Sequence, residues 1–424
     1  MRRPLSLRRR FTRRHDLLRQ SGKTSQTQSD ERKLKILLHD YGGYPFTRQL
    51  AEALACRDHI VQYCYSETTQ HIKRTNSGCS KSNLTVIGIQ LSRPFEKYSL
   101  LQRHSCEIEH GKLLAEQIGQ FHPDVVISAD TPLDAQGFAL KASRNANAQF
   151  LFWFQDAISI ATRKVLSAKL PVAGDLIGQY YGWIERQLVR QSDQVILISD
   201  DFLPLMNQWG VQKERVTIIP NWAPVEEIPV CPKSNQWAVT HGLTDQFVFL
   251  YSGILGLKHN PILFIQLSQA FQSIPDVKVV IVAEGAAAGW LKEQKEEMHL
   301  DNLLLFPYQP AEVYPQMLGS ADVLMAILSP DAGSYSVPSK VLSYMCASRS
   351  LLLAVPAENL AARLVVQNDA GLVSSPLDTA HWIRNAKSLY LDRQSNWRRG
   401  AKARKYAENF FNIKQITDKF EALF

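Results

Sequence analysis

Two runs of alternating apolar strand and amphipathic helix, separated by a segment with four prolines, limit what this chain can fold into. The first run predicts strands over 34–38, 60–65, 84–89, 125–128, 149–154, 194–198 and 216–219. Helices are expected between them, over 48–55, 105–120, 133–145, about 175–191 and 201–208. In the 175–191 helix, Leu176, Tyr180, Ile184 and Leu188 recur four apart and mark an apolar face. The segment PNWAPVEEIPVCPKSNQW then breaks the pattern. A second run predicts strands over 247–252, 278–282, 303–306, 323–328 and 351–354, and helices over 261–272, 288–299, 312–319, 339–347 and 360–368. Residues 378–424 read as helical. Strands that alternate with helices imply parallel sheets with crossover helices. The expected fold class is therefore α/β, with two doubly wound, Rossmann-like domains facing a cleft. Ligands in such sheets bind beyond the carboxyl ends of the strands, so the loops there are where chemistry is sought.

Charge separates the chain differently. Residues 1–33 carry 11 Lys/Arg against 3 Asp/Glu, and the rest carries 37 of each. The net charge of +8 thus belongs to an N-terminal tail, and the body is neutral. The tail has eight arginines in its first twenty residues and few apolar ones, which predicts disorder in isolation. Its chemistry suits an anionic lipid surface, with Leu5, Leu7, Phe11, Leu17 and Leu18 adding insertion, and equally nucleic acid, a transit peptide or a plain extension. A neutral body argues against a specific nucleic-acid partner. No run of about 18 apolar residues is present, so a membrane span is not expected. The six cysteines are scattered without a C-x-x-C pair, which suits a reducing compartment and disfavours a zinc site.

Five strand-end segments carry candidate chemistry. After the first strand, Gly42 and Gly43 allow either close approach of backbone to a ligand or a simple turn. This loop is not G-x-G-x-x-G, and no Walker loop exists, so a dehydrogenase or ATPase is disfavoured. After the strand at 149–154, Asp156 is placed to orient an acceptor hydroxyl or take its proton, or else to cap a helix. After the strand at 247–252, Gly253 and Lys258 in SGILGLKH suit diphosphate, although Lys258 also reads as a surface lysine. Glu284 lines the same end or serves a turn. After the strand at 323–328, the loop with Asp331, Gly333, Ser334 and Ser336 leads into Pro338, Ser339 and Lys340. Pro338 suits a first helical position, and the N–H groups of that helix start form a phosphate site. His39 and His259 lack a third partner at metal spacing, so no metal is expected.

These motifs in this order give a resemblance. VTIIPNW at 216–222, SADVLMAIL at 320–328 and SVPSKVLSYMCASRSLL at 336–352 resemble the family 4 ("group 1") retaining glycosyltransferases of the GT-B fold, over roughly residues 34–424. FQD at 154–156 and GLKHN at 256–260 are similar to the bacterial cell-surface polysaccharide subgroup, near the fucosamine transferases of O-antigen synthesis. The chain departs from the family at its two usual glutamates, where Tyr335 and Ser343 stand, and at a usual arginine, which leaves Lys258.

The resemblance implies an N-terminal acceptor domain at 34–222, a linker at 223–243, a donor domain at 244–400 and a helix at 401–424 that returns to the first domain. It implies transfer of a sugar from a nucleotide-diphosphate donor to a glycan or polyprenyl-diphosphate-linked acceptor. The enzyme would work without metal or other cofactor, in the cytoplasm or on the inner face of the cytoplasmic membrane. Lys258 and Lys340 would hold the diphosphate, Gly42 and Gly43 would border the reacting centre, and Asp156 would meet the acceptor. A catalytically degenerate GT-B scaffold and a nucleotide-sugar epimerase on the same architecture are the alternatives.

Overall fold

The computed structural model describes residues 33–67, 82–92, 100–256, 259–330 and 338–424. The readings placed on the arginine-rich tail, on Lys258, and on Asp331, Gly333, Ser334, Tyr335 and Ser336 lie outside the described residues. The first sheet holds β1 (Lys35–Asp40), β2 (Ile60–Ser66), β3 (Leu84–Ile89), β4 (Val125–Ala129), β5 (Gln149–Phe154), β6 (Gln194–Leu197) and β7 (Val216–Ile218), in the order β3-β2-β1-β4-β5-β6-β7. The second holds β8 (Phe247–Ser252), β9 (Val277–Val282), β10 (Leu303–Phe306), β11 (Val323–Ile327), β12 (Ser350–Ala354) and β13 (Gly371–Ser374), in the order β10-β9-β8-β11-β12-β13. Every pairing within both sheets is parallel. The α/β class with two doubly wound sheets is thus observed.

The central strands explain themselves. FVFLYS in β8, VLMAI in β11 and SLLLA in β12 are buried at every position, as helices covering both faces require. The edge strand β3 leaves Thr85 and Val86 exposed. In each sheet the chain order reverses at the centre, between β1 and β4 and between β8 and β11. Those two switch points are where a doubly wound sheet opens a crevice.

Residues Leu34–Phe424 form one compact unit. The two carboxyl-end rims meet where Arg363, on the helix after β12, pairs at 2.6 Å with Asp201, just after β6. The C-terminal helix Ile413–Glu421 packs on the first sheet. Phe420 is fully buried against Trp153 of β5, and Arg57 pairs with Asp418 at 2.6 Å. The crossing starts near Phe411 rather than at 401. Helix Arg393–Phe410 stays with the second sheet, where Arg404 donates to the Cys346 carbonyl and Gly400 lies against Ser348.

Several local expectations shift. β1 runs to Asp40, so His39 and Asp40 are buried strand residues and not turn residues. The helix that follows starts at Pro45, where proline's missing N–H costs nothing. Helix Ile158–Lys169 was not foreseen, nor was β13. The Leu176–Leu188 face is not a core face, because Leu176 and Tyr180 are exposed and only Leu188 at its far end is buried.

Candidate functional site

The switch point of the second sheet is built around Lys340. Helix Ser339–Cys346 follows β11, and Pro338 sits one place earlier than expected, extended (φ −68°, ψ 101°), as the residue before the helix. Among the described residues no side chain caps this start; Val341 N–H donates to the Pro338 carbonyl at 2.9 Å, and the N–H groups of Ser339 and Lys340 precede the helix's own bonds. Lys340 reaches back to β8, where its Nζ donates to the Tyr251 hydroxyl at 2.5 Å and lies 3.8 Å from the ring centroid. Its side chain keeps some contact with solvent but is crowded by protein, and this desolvation lowers its pKa to about 7. No carboxylate pairs with it among the described residues.

Gly253 makes that approach possible. Its φ of +139° excludes most side chains, and a Cβ there would stand 2.6 Å from Lys340 Nζ. The same helix fixes the loop by a second bond pair. The Tyr344 hydroxyl donates to the Ser252 carbonyl at 3.0 Å and accepts from the Ser252 N–H at 2.8 Å. Glu284 follows β9 and is exposed, while its carbonyl accepts from Leu255 N–H. Tyr308 senses the charge of Glu284, and Tyr251 senses Tyr308, which puts all three at one end of the sheet. Gly253, Glu284, Pro338, Ser339 and Lys340 are therefore brought to one rim. Ser343, where the resembled family has a glutamate, has its hydroxyl engaged by the half-buried Tyr314.

The switch point of the first sheet has the opposite character. Asp40 is wholly buried and gathers the loop onto itself: it accepts from Gly42 N–H at 3.0 Å, Tyr44 N–H at 2.6 Å and the Thr47 hydroxyl at 2.5 Å. Gly43 takes φ +69°, so the glycine pair makes a tight turn here. Asp130, after β4, bonds to the Tyr44 side chain and feels both Asp40 and Asp156. Burial pushes the carboxyls of Asp40 and Asp156 up to about 6, and burial with two like charges pushes Asp130 well above the usual range.

Asp156 is the informative member. Its surface is exposed, yet surrounding protein desolvates the carboxyl, which is why its pKa rises. Helix capping does not occupy it. The N–H groups of Ile158 and Ser159 are taken by the buried Glu185 of the next helix, at 2.9 and 3.1 Å. Among the described residues nothing donates to the Asp156 carboxylate, so it remains available to a hydroxyl. Beneath this floor lies a neutral polar network. His39 Nε2 is 2.9 Å from His110 Nε2, and His39 Nδ1 is 2.9 Å from the Thr131 hydroxyl. Burial holds both imidazoles uncharged at neutral pH.

Sequence reading missed Tyr251, Tyr308, Tyr44, Asp130 and Glu185. Asp130 alone left a signal, a carboxylate just past an apolar strand. Elsewhere, a hollow of about 320 Å³ lined by Lys233, Arg349, Arg393 and Trp397 lies at the amino ends of β8, β11 and β12, away from both rims. Among the described residues, His104, Glu107 and Asp134 form the one group with ligand atoms within 4.8 Å. These side chains already pair with one another and with Arg103 and Tyr181, and they support no metal assignment.

Comparison with solved structures places this architecture. HepE of Anabaena, solved with UDP-glucose, superposes with a TM-score of 0.65 at 16% identity, covering 91% of this chain and 98% of that one. Sucrose-phosphate synthase of Thermosynechococcus elongatus gives 0.70 at 15% identity over 92% and 98%. WaaG, a glycosyltransferase of lipopolysaccharide biosynthesis, gives 0.64 at 14% over 91% and 98%. No curated protein sequence matches the chain. The fold is the GT-B fold, and residues 42–222 of its first half match the glycosyl transferase 4-like domain.

Proposed function

We propose that this chain is a retaining glycosyltransferase that moves a sugar from a nucleotide diphosphate to a hydroxyl of a lipid-linked, cell-surface glycan. One observation carries the reading: a crowded lysine, Lys340, aimed into the switch point of the second sheet at a helix start, with no acidic partner among the described residues. A lysine so placed awaits an anion, and a diphosphate supplies charge to Nζ and to the helix N–H groups together. HepE is solved with UDP and UDP-glucose on the same fold, which supports a nucleotide-sugar donor. Lys258 would join from the loop after β8. With cations in these places the diphosphate is held without a metal ion.

In the reaction the bond from the sugar's anomeric carbon to the diphosphate oxygen breaks, and charge collects on the departing diphosphate. Lys340 and the helix start stabilise that charge. The acceptor oxygen attacks on the face the diphosphate leaves, oriented by Asp156, which accepts its proton. The floor of Gly42 and Gly43 lets the sugar lie against backbone. The reading places the enzyme in the cytoplasm, on the inner face of the membrane that carries its acceptor.

A thermal-shift panel of UDP, GDP and ADP with their sugars, with and without EDTA, tests it. A ligand at a hundred times its Kd adds about 2.7 kcal/mol to stability. A shift from one nucleotide family, unchanged by EDTA, supports the proposal. The absence of any shift favours the catalytically degenerate scaffold, for which the engaged Ser343 already speaks.

A further inference from the structure

We propose that the helical hairpin Ile158–Lys169 and Pro171–Gln191 is the surface by which this chain docks on an anionic lipid bilayer. The inference rests on the lipid-linked acceptor proposed above and adds where the lipid surface lies. Four large apolar side chains of the second helix stand in solvent: Val172 is 77% exposed, Leu176 63%, Tyr180 58% and Trp183 60%. Their spacing of four, four and three puts them on one helical face. Such a stripe exceeds the scattered apolar residues of an ordinary surface.

The packing of the hairpin explains why the stripe is left over. Gly174, Gly178 and Gly182 are also four apart, on the opposite face. A Cβ on Gly174 would stand 2.3 Å from the Leu166 carbonyl, and one on Gly178 would stand 2.4 Å from Arg163 Cβ. The two helices thus hold together by backbone contact, and their large side chains are not needed between them. Small-residue seams of this kind leave apolar residues free to face lipid.

Charge selects the occupant. Arg186 and Arg190 are exposed on the hairpin, as is Lys164, while the exposed Arg163 is paired with Asp175. Its two acids are spent internally: Asp175 pairs with Arg163 at 2.7 Å, and Glu185 is buried on Ile158 and Ser159. The exposed balance is cationic, as anionic headgroups require. Tyr180 and Trp183 lie stacked, with ring centroids 6.5 Å apart, and such aromatic rings suit headgroup depth. The hairpin leaves the sheet at the end of β5, two residues after Asp156. A docked hairpin would bring a lipid-anchored acceptor to that carboxylate.

The test is co-sedimentation of the full chain with phosphatidylethanolamine/phosphatidylglycerol vesicles and with phosphatidylcholine vesicles. It is repeated for the variant Leu176→Ser/Tyr180→Ser/Trp183→Ser, which keeps the arginine-rich tail. Losing three apolar side chains that insert on docking should weaken partition at least roughly tenfold. The wild-type chain should prefer the anionic vesicles, and the melting temperature and nucleotide-induced shift of the variant should stay unchanged. Equal partition of variant and wild type overturns the proposal. So does equal binding to both vesicle types, or wild-type dimerisation without lipid that the variant abolishes. Transfer to a short water-soluble acceptor is read in parallel. Absent transfer with hairpin-dependent partition defeats the glycosyltransferase reading and leaves docking standing, whereas intact transfer with unaltered partition defeats docking alone.

Discussion

The two sheets share one topology and present opposite chemistry at their switch points. The first gathers three carboxyl groups, Asp40, Asp130 and Asp156, whose desolvation by surrounding protein makes them hold protons more tightly. The second presents Lys340, whose burial makes it release its proton. In both halves crowding disfavours the charged form, so a substrate that supplies the missing partner gains from relieving it. The fold chooses where the loops go. In the proposed reading the side chains decide that one rim handles a proton and the other an anion.

That contrast can be broken from either side. The largest effect is expected from Asp156→Asn, which removes the group proposed to orient the acceptor. Turnover should fall about 10²- to 10⁴-fold with nucleotide affinity unchanged, as kcat and KM for the donor would report. Lys340→Met attacks the other rim. Loss of a desolvated charge contact costs about 2–5 kcal/mol, so the Kd for nucleotide diphosphate should rise about thirtyfold or more by calorimetry. Gly253→Ala leaves the lysine present but displaces it, through the φ of +139° and the 2.6 Å approach to Nζ. A strained backbone position costs about 1–3 kcal/mol, and nucleotide affinity should drop roughly tenfold in the same titration.

The smallest effect is the pH dependence of the unliganded protein, and its sign differs between the rims. The Asp40 and Asp156 carboxyls are raised from 3.8 to about 6. Their contribution to stability is present below pH 3.8 and is lost as pH rises through 6. Lys340 is lowered from 10.5 to about 7. Its contribution is present above pH 10.5 and is lost as pH falls through 7. These groups therefore destabilise the empty protein most between pH 6 and 7. Melting scans should show Lys340→Met more stable than wild type at pH 7 and nearly equal to it at pH 10.

The parallel sheets were legible in the sequence because strands covered on both faces are continuous apolar runs, as FVFLYS and VLMAI are. The places of Gly253 and Lys340 at strand ends were legible, because the apolar runs before them mark where each strand stops. What stayed hidden depends on contacts between elements. Tyr251 lies inside an apolar strand and reads as core, yet its hydroxyl meets Lys340. Asp156 reads as a helix cap until Glu185, nearly thirty residues on, takes that task. For the face containing Leu176 and Tyr180 the sequence left the surroundings open, because an apolar stripe of period 3.6 looks alike whether it faces a core or a lipid surface. The short β13 carries too few residues for a period to show.

The most direct test of the anion site is a calorimetric titration of nucleotide diphosphate at pH 8, in two buffers of different ionisation enthalpy, with the wild type and Lys340→Met. With a pKa of about 7 the free lysine is mostly neutral at pH 8, and a bound diphosphate restores its charge. The account predicts binding with uptake of a proton that the variant no longer shows. Binding of equal strength in both proteins, with no proton exchanged in either, would contradict it.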